Sequence, residues 1–372
     1  MNLGVTLNGV FYTPQRISLF ADTATNTEEK EFFTEVVSFL QEWFNSSEEV
    51  LVNTSGSTGE PKPLLLRKEH MVNSARMTCS YFNLTKGSTA LLCMPVRYIA
   101  GKMMLVRAVV AQLTLKVVCP SSRPLLAINQ DFEFVAMVPL QVFTSLKHVE
   151  DIEALNRVKY LLIGGGAIDK GLLSKIENLL CSAYSSYGMT ETVSHIALRK
   201  LNGPNKSAYY TPLPNVTLSQ TKDGTLEVDA PYVSSQRLST NDLVEFDALG
   251  NFVVLGRIDN IINSGGVKLQ AEKIEEKLQN LFDSPYVITS AQSARLGDVV
   301  SLLIGGEPCD LTVISQEMKG LLTKYELPKL IYFIPEIPQT ETHKIDRAAC
   351  RALANELYKK DKNESNFSTQ RS

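Results

Sequence analysis

Between Thr54 and Lys62 the chain reads Thr-Ser-Gly-Ser-Thr-Gly-Glu-Pro-Lys. Small residues let a backbone come close to a ligand, and successive N–H groups can cradle phosphate oxygens. The hydroxyls of Thr54, Ser55, Ser57 and Thr58 add donors. Gly56 and Gly59 leave room, and Lys62 adds charge. The GxxxxGK[ST] spacing of a Walker A loop is absent. Alone, such a run is more often a flexible loop than a phosphate site. Further along, Ser186-Tyr187-Gly188-Met189-Thr190-Glu191-Thr192 combines a flat ring, which suits the face of a base, with a carboxylate, which suits a hard cation. Gly164-Gly165-Gly166 closes an apolar run and reads as a turn ending a strand. Lys344, taken alone, is a solvated surface lysine.

The order of residues in the first run resembles the phosphate-binding signature of the adenylate-forming superfamily. That superfamily includes acyl-CoA synthetases, peptide-synthetase adenylation domains and beetle luciferases. The remaining motifs follow in the family's order, from about Val50 to Arg347. The Ser186–Thr192 segment resembles YGxTE. The resemblance implies that Tyr187 stacks on adenine, Thr190 contacts phosphate and Glu191 helps to hold Mg2+. Gly164 to Gly166 resemble the glycine turn bordering the adenine. Ser239-Thr240-Asn241-Asp242 resembles the TGD element, with Asn241 in place of Gly, and implies that Asp242 binds the ribose hydroxyls. Gly256-Arg257-Ile258-Asp259 resembles the GRxD hinge, with Arg257 reaching the ribose and Asp259 as pivot. Gly265 and Gly266 match the loop that lines the tunnel for coenzyme A. Pro338 to Arg347 resembles the C-terminal signature whose lysine, here Lys344, bridges the attacking carboxylate and the α-phosphate. His343 stands where Gly is usual.

The implied activity is ATP-dependent carboxylate:coenzyme A ligation through an acyl-adenylate, with ATP, Mg2+ and coenzyme A as cofactors. The stretches Ser185–His195 and Pro95–Lys102 are similar to bacterial 2-succinylbenzoate:CoA ligases of menaquinone biosynthesis. That substrate is an aromatic dicarboxylate, so one carboxylate reacts and the other needs neutralising or hydrogen bonding. Arg97, Lys102, Arg107, Thr192, Ser194 and His195 are the candidates. Lys102 and Arg107 flank the apolar run Met103 to Val106, and a cation in such surroundings needs a partner. The plain alternative is an amphipathic helix with one cation snorkelling to water. Positions five apart on a helix diverge by ~140°, so the two should not share a face. Competing readings are an enzyme that adenylates another acid or loads a carrier protein, and a nucleotide-binding protein without catalysis. A Rossmann dehydrogenase is excluded by the lack of GxGxxG after the first strand.

The elements that must position these residues are legible from periodicity. Phe32, Phe33, Val36, Val37, Leu40 and Trp43 recur at helical spacing over Glu28 to Phe44. A second helix is expected over Lys68 to Phe82. Strands are expected at Thr114–Cys119, Val135–Val138, Val158–Ile163 and Cys181–Ser186, with a helix at Leu172–Leu180 between the last two. That alternation predicts an α/β fold with helices flanking mixed sheets. Leu226–Val233 and Phe252–Gly256 suit a β subdomain. From Ala271 a compact α+β unit follows, with helices at Ala271–Phe282, Ser315–Tyr325 and Asp346–Tyr358 and a strand at Leu330–Ile334. We therefore expect a large domain over 1–257, shortened at its N-terminus relative to the family, a small mobile domain over 258–360 and a disordered tail over 361–372.

The chain has 372 residues and a net charge of −3. No basic stripe marks a nucleic-acid partner. Six cysteines are scattered without CxxC pairing, which suits reduced thiols in the cytoplasm. No signal peptide and no window of ~20 apolar residues is seen. Oligomeric state stays open.

Overall fold

A computed structural model describes residues 4–53, 63–126, 128–282, 284–293, 297–308, 310–340 and 344–369. The expected phosphate loop from Thr54 to Lys62, and residues 341 to 343 with His343, lie outside the described residues.

The chain opens with a short hairpin, β1 (Val5–Leu7) and β2 (Val10–Tyr12), and helix α1 (Thr27–Phe44). The Asn26 side chain accepts from the Glu29 N–H at 2.9 Å, and the Glu29 carboxylate accepts from the Thr25 N–H at 2.8 Å. Two donors at the helix start are thus satisfied by side chains. All six apolar residues expected on this helix are buried. There follow β3 (Glu49–Asn53), β4 (Pro63–Arg67), α2 (Lys68–Tyr81), β5 (Thr89–Leu92), α3 (Ile99–Ala111), β6 (Thr114–Val117), β7 (Phe132–Met137), α4 (Pro139–Ser145), α5 (Val149–Asn156), β8 (Val158–Ile163), α6 (Lys170–Ile176), β9 (Ser182–Gly188), β10 (His195–Lys200) and β11 (Thr211–Pro212).

A nine-stranded sheet runs in the order β11-β10-β9-β8-β7-β5-β6-β1-β2. Pairing is parallel from β1 through β6, β5, β7 and β8 to β9, and antiparallel at both edges. The two-residue period of the strands sorts their side chains. Ala90, Leu92, Phe134, Ala136 and Leu162 join the core formed with α1, α2 and α3. Leu91, Cys93, Val135, Met137, Leu161 and Ile163 join the core formed with α4, α5 and α6. Both faces are covered, so the strands read as unbroken apolar runs.

The expected β subdomain is a four-stranded antiparallel sheet of β12 (Thr217–Gln220), β13 (Thr225–Asp229), β14 (Leu238–Phe246) and β15 (Phe252–Arg257). The C-terminal unit contains β16 (Ile261–Ser264), β17 (Val267–Gln270), α7 (Ala271–Leu278), β18 (Tyr286–Ser293), β19 (Gly297–Gly305), α8 (Leu311–Leu321), β20 (Leu330–Ile334) and α9 (Arg347–Thr369). Its sheet, β17-β16-β19-β18 with β20 beside β19, has α7 and α8 on the face of Ile288, Val300 and Leu302. Cys350 and Ala354 of α9 cover the face of Val287 and Leu303. The expected α/β architecture is the one observed.

Several ends differ from expectation: α6 runs Lys170–Ile176 where the sequence predicts a helix over Leu172–Leu180, and α7 stops at Leu278 short of Phe282. α8 begins at Leu311, not Ser315, because the Asp310 side chain caps it by accepting from the Thr312 N–H at 2.8 Å. The tail expected to be disordered from Asp361 is helical as far as Thr369. The segment holds no Gly or Pro, and polar residues such as Lys and Glu are good helix formers. Lys360 also pairs with Glu356 one turn back, at 3.0 Å. Cys79, Cys93, Cys181 and Cys350 are buried free thiols and Cys119 is partly buried; Cys309 lies outside the described residues. Among the described residues no helix is long and apolar enough to cross a membrane.

Candidate active site

The site grows from the ends of β8 and β9. Their parallel register, Ile163 opposite Ser185, brings the Gly164–Gly166 turn beside Ser186, Tyr187 and Gly188. The Ser186 hydroxyl donates to the Ile163 carbonyl at 3.3 Å. Carboxyl ends of parallel strands are where open α/β sheets bind ligands. Gly188 is required by a close approach: a Cβ there would lie 2.3 Å from the Ser194 carbonyl oxygen and 2.6 Å from the His195 Cα.

Between Gly188 and His195 the chain makes a short 3-10 turn, Thr190–Thr192, and then a tight reversal. Val193 takes φ +66° and ψ −53°, and the Ser194 N–H donates to the Thr192 carbonyl at 2.7 Å. This is the strained form of γ-turn, and a β-branched residue in it costs about 1–3 kcal/mol. The Thr192 hydroxyl holds the turn: it accepts from the Met189 N–H at 3.1 Å and contacts the Ser194 and Met189 carbonyls at 2.8 and 3.0 Å. Its oxygen is therefore engaged within the turn. Thr190 is partly buried, and Glu191 is exposed and free of ion pairs and hydrogen bonds among the described residues.

Tyr187 belongs to a second network. Its hydroxyl donates to Asp242 at 2.6 Å, and its ring packs edge-on against Phe252 at 5.1 Å. Burial and the Asp242 charge push the phenol well above its ordinary range. Asp242 faces Arg257 across the β14–β15 register, and the guanidinium donates to it at 3.4 Å. Arg257 also reaches Asp259 at 2.9 Å. Asn241, the residue in place of the expected Gly, donates its amide to both oxygens of Asp259 at 2.9 and 3.1 Å. The sequence raised no role for Asn241, although its departure from the family pattern was the available signal.

The acid-pocket candidates divide. Arg107, Ser194 and His195 come together, with Thr192 beside them. Arg107 is 2% exposed, and one terminal nitrogen donates to the Ser194 hydroxyl at 2.8 Å. His195 contacts the Thr78 hydroxyl through Nε2 at 3.2 Å and Ser194 through Nδ1 at 3.4 Å. Burial, then the Arg107 charge, lower the imidazole pKa to about 3. Lys102 goes elsewhere: its ammonium lies over the Phe39 ring at 4.5 Å. Burial lowers its pKa while Glu42 and Glu35 oppose the shift. With exposed Arg97 it lines a cavity of about 590 Å³ against α1 that none of the nucleotide-motif residues lines. The two cations of α3, five positions apart, face different surroundings, as the helical repeat requires.

Lys344 is partly buried. The Thr340 N–H donates to the Lys344 carbonyl at 2.8 Å, and the Asp346 N–H donates to that of Pro338 at 2.9 Å. Three residues on, Arg347 makes a bidentate pair with Glu275 of α7 at 2.6 and 3.1 Å. This anchor also escaped the sequence reading; its signal was a carboxylate beside Ile274 on the apolar stripe of α7. Burial, then the Arg257 charge, lower the Lys344 pKa. Gly265 and Gly266 form the exposed two-residue tip between β16 and β17, at φ +60° and +85°, as left-handed hairpin turns demand.

Residues 22–233 match the family described as AMP-binding enzyme. A 2-succinylbenzoate–CoA ligase of Enterococcus faecalis is 25% identical over 328 residues, which cover 79% of this chain and 67% of that protein. An acyl-CoA synthetase (AMP-forming)/AMP-acid ligase II-like protein from Dyadobacter fermentans is 35% identical, with 88% of this chain and 96% of that one covered and a TM-score of 0.60. The o-succinylbenzoate coenzyme A synthetase from Bacillus subtilis, solved with ATP and magnesium ion, is 21% identical and shares the fold, with 91% and 82% covered and a TM-score of 0.70.

Proposed function

The chain belongs to the AMP-binding enzyme family, and from that premise we propose that it is an AMP-forming ligase that converts 2-succinylbenzoate to its coenzyme A thioester in menaquinone biosynthesis. The observation that carries this reading is convergence. Tyr187, Asp242, Arg257 and Asp259, which lie in three separate motifs, form one bonded network.

A carboxylate is a poor acyl donor because its leaving group would be oxide. In the first step a carboxylate oxygen attacks the α-phosphorus of ATP. A P–O bond forms, the bond to the β-phosphate oxygen breaks, and pyrophosphate leaves. Negative charge crowds at that centre, so a cation placed in advance lowers the barrier. Lys344 is that cation in our reading, and Thr190 contacts phosphate. Tyr187 presents its ring to the adenine between the Gly164–Gly166 turn and Ser186–Gly188. Asp242 and Arg257 hold the ribose. The Thr54–Gly59 run with Lys62 grips the departing phosphates. Glu191, exposed and unpaired among the described residues, would hold Mg2+, because this ion takes few protein ligands and relies on substrate phosphates. The ion would supply positive charge to the leaving pyrophosphate.

In the second step the coenzyme A thiolate attacks the acyl carbon. A C–S bond forms, the C–O bond to AMP breaks, and AMP leaves. We assign the large domain to 1–257 and the small domain to 258–360, turning about Asp259 so that Lys344 withdraws and Gly265 and Gly266 admit the thiol arm. ATP and coenzyme A supply place the enzyme in the cytoplasm.

The test is thioester formation from ATP, Mg2+, coenzyme A and 2-succinylbenzoate, beside benzoate, a fatty acid and acetate. We expect strong preference for 2-succinylbenzoate, and for Lys344→Ala to lose adenylate formation on the order of 1,000-fold. Thioester from another acid only would move the assignment to that acid. No adenylate from any acid would leave a nucleotide-binding protein without catalysis.

A further inference from the structure

We propose that the ion pair between Lys170 and Glu276 positions the C-terminal unit for adenylate formation, and that it breaks on the way to the thioester step. The inference rests on the ligase reading and on the division of the chain near Asp259. It adds two positioning residues to that reaction.

Neither residue sits where its own helix favours it. Lys170 is the first residue of α6, and Glu276 lies in the last turn of α7. A helix carries partial positive charge at its N-terminus and partial negative charge at its C-terminus, so each of these side chains is opposed by its own helix dipole. Their neighbours follow the rule. The Asp169 side chain caps α6 by accepting from the Leu172 N–H at 2.7 Å, and Lys175 and Lys277 occupy the last turns of α6 and α7. The two misplaced charges meet each other: the Lys170 ammonium lies 2.9 Å from a Glu276 carboxylate oxygen. Residues that are unfavourable locally and complementary across two elements point to a requirement beyond either helix.

The pair spans the boundary between the two parts. Lys170 follows the Gly164–Gly166 turn at the carboxyl end of β8, whereas Glu276 belongs to the unit after Asp259. The near end of α7 is fixed beside the pivot. Gln270 donates to the Arg257 carbonyl at 3.1 Å, and a Cβ on Gly256 would collide with the Gln270 amide. Glu276 stands six residues further on, ~9 Å along the chain at the helical rise. A large turn about Asp259 can keep the contacts beside the pivot, but it carries Glu276 away from Lys170. The orientation that the pair holds is not the one for the thiol. The Gly265–Gly266 tip stands exposed, and among the described residues a Cβ on either glycine meets nothing within 4 Å. The side chains of Lys170 and Glu276 are 61% and 55% exposed, so the tie is weak enough to break and re-form in every cycle. A weak tie made in one orientation only still shifts the balance between the two.

The test uses the full chain and 2-succinylbenzoate, or whichever of the four acids the wild type activates. Rapid quench reads adenylate formation without coenzyme A, and separately thioester formation from adenylate made beforehand. Lys170→Glu and Glu276→Lys are made singly and together. We expect each single reversal to slow adenylate formation about fivefold, because it replaces attraction by repulsion, and to leave thioester formation unslowed. The double reversal restores the pair with its charges exchanged, and should return adenylate formation to within about twofold of wild type. The gap between wild type and either single variant should narrow as salt rises toward about 1 M. If a single reversal slows both half-reactions alike and lowers the melting temperature, the pair is structural only and the proposal fails. If neither half-reaction changes, or the double reversal restores nothing, the proposal fails while the ligase reading stands. A wild type that forms no adenylate from any of the acids overturns the ligase reading and this with it.

Discussion

The two ends of the segment from Tyr187 to His195 handle charge in opposite ways. At the Tyr187 end, Asp242 has Tyr187 and Arg257 as donors, and Asp259 has Arg257 and Asn241. At the Ser194 end, a deeper guanidinium has, among the described residues, only a hydroxyl and a thioether as hydrogen-bond partners. Among the described residues the first cluster pairs each of its charges, whereas the second leaves the Arg107 Nε–H without an acceptor. Charges paired inside the fold are stable as they stand, and a buried charge without a counter-ion is not.

The largest expected effect tests that contrast through stability. Asp242→Ala strips an acceptor from Tyr187 and Arg257 and should destabilise the protein by about 2–3 kcal/mol. Arg107→Met removes a buried charge that has no carboxylate partner among the described residues, keeps a similar shape, and should stabilise the protein by about 1–2 kcal/mol. Urea unfolding of both variants reads the two signs. A loss of stability in Arg107→Met would mean that the guanidinium is satisfied in solution, and the contrast would collapse.

A smaller effect comes from pH. Folding lowers the His195 pKa from 6.5 to about 3 through burial and the Arg107 charge. Between those values the unfolded chain binds a proton that the folded one refuses. The stability this gives is whole above pH 6.5 and is lost as pH falls, by about 1.4 kcal/mol per unit. From pH 6.5 to 5 wild type should therefore lose ~2 kcal/mol more than His195→Gln. Parallel pH profiles for the two proteins would show that His195 is protonated in the fold and that the Ser194 end tolerates a second cation.

What could be read from the sequence follows from how far each feature acts. The helix and strand periods are local, so α1, α2, β8 and β20 lie where spacing puts them. The divergence of Lys102 and Arg107 is also local, since it needs only the helical repeat. Which one would face His195 was not legible, because that depends on how α2, α3 and β10 pack. Asp242 and Arg257 were each singled out, yet their pairing rests on the β14–β15 register, which includes a bulge. The left-handed Val193 carried no signal at all: nothing about a valine announces positive φ. The Glu275–Arg347 anchor was half legible, as a carboxylate on an apolar stripe whose partner lies on another element.

The smallest effect concerns Asn241, and it sharpens the comparison at the Tyr187 end. Its amide ties β14 to Asp259, the residue about which we propose the small domain turns. Both side chains are largely exposed, so the tie is worth less than ~1 kcal/mol. Asn241→Gly removes it and leaves the Arg257–Asp259 contact. If domain rotation limits the second step, release of one tie should speed thioester formation two- to fivefold relative to adenylate formation. Rapid-quench measurement of the two half-reactions separates them. An equal change in both would place Asn241 in ribose binding and remove it from the hinge. A slower second step would mean that the amide stabilises the turned state instead, and the hinge would then be held most firmly where the thiol reacts.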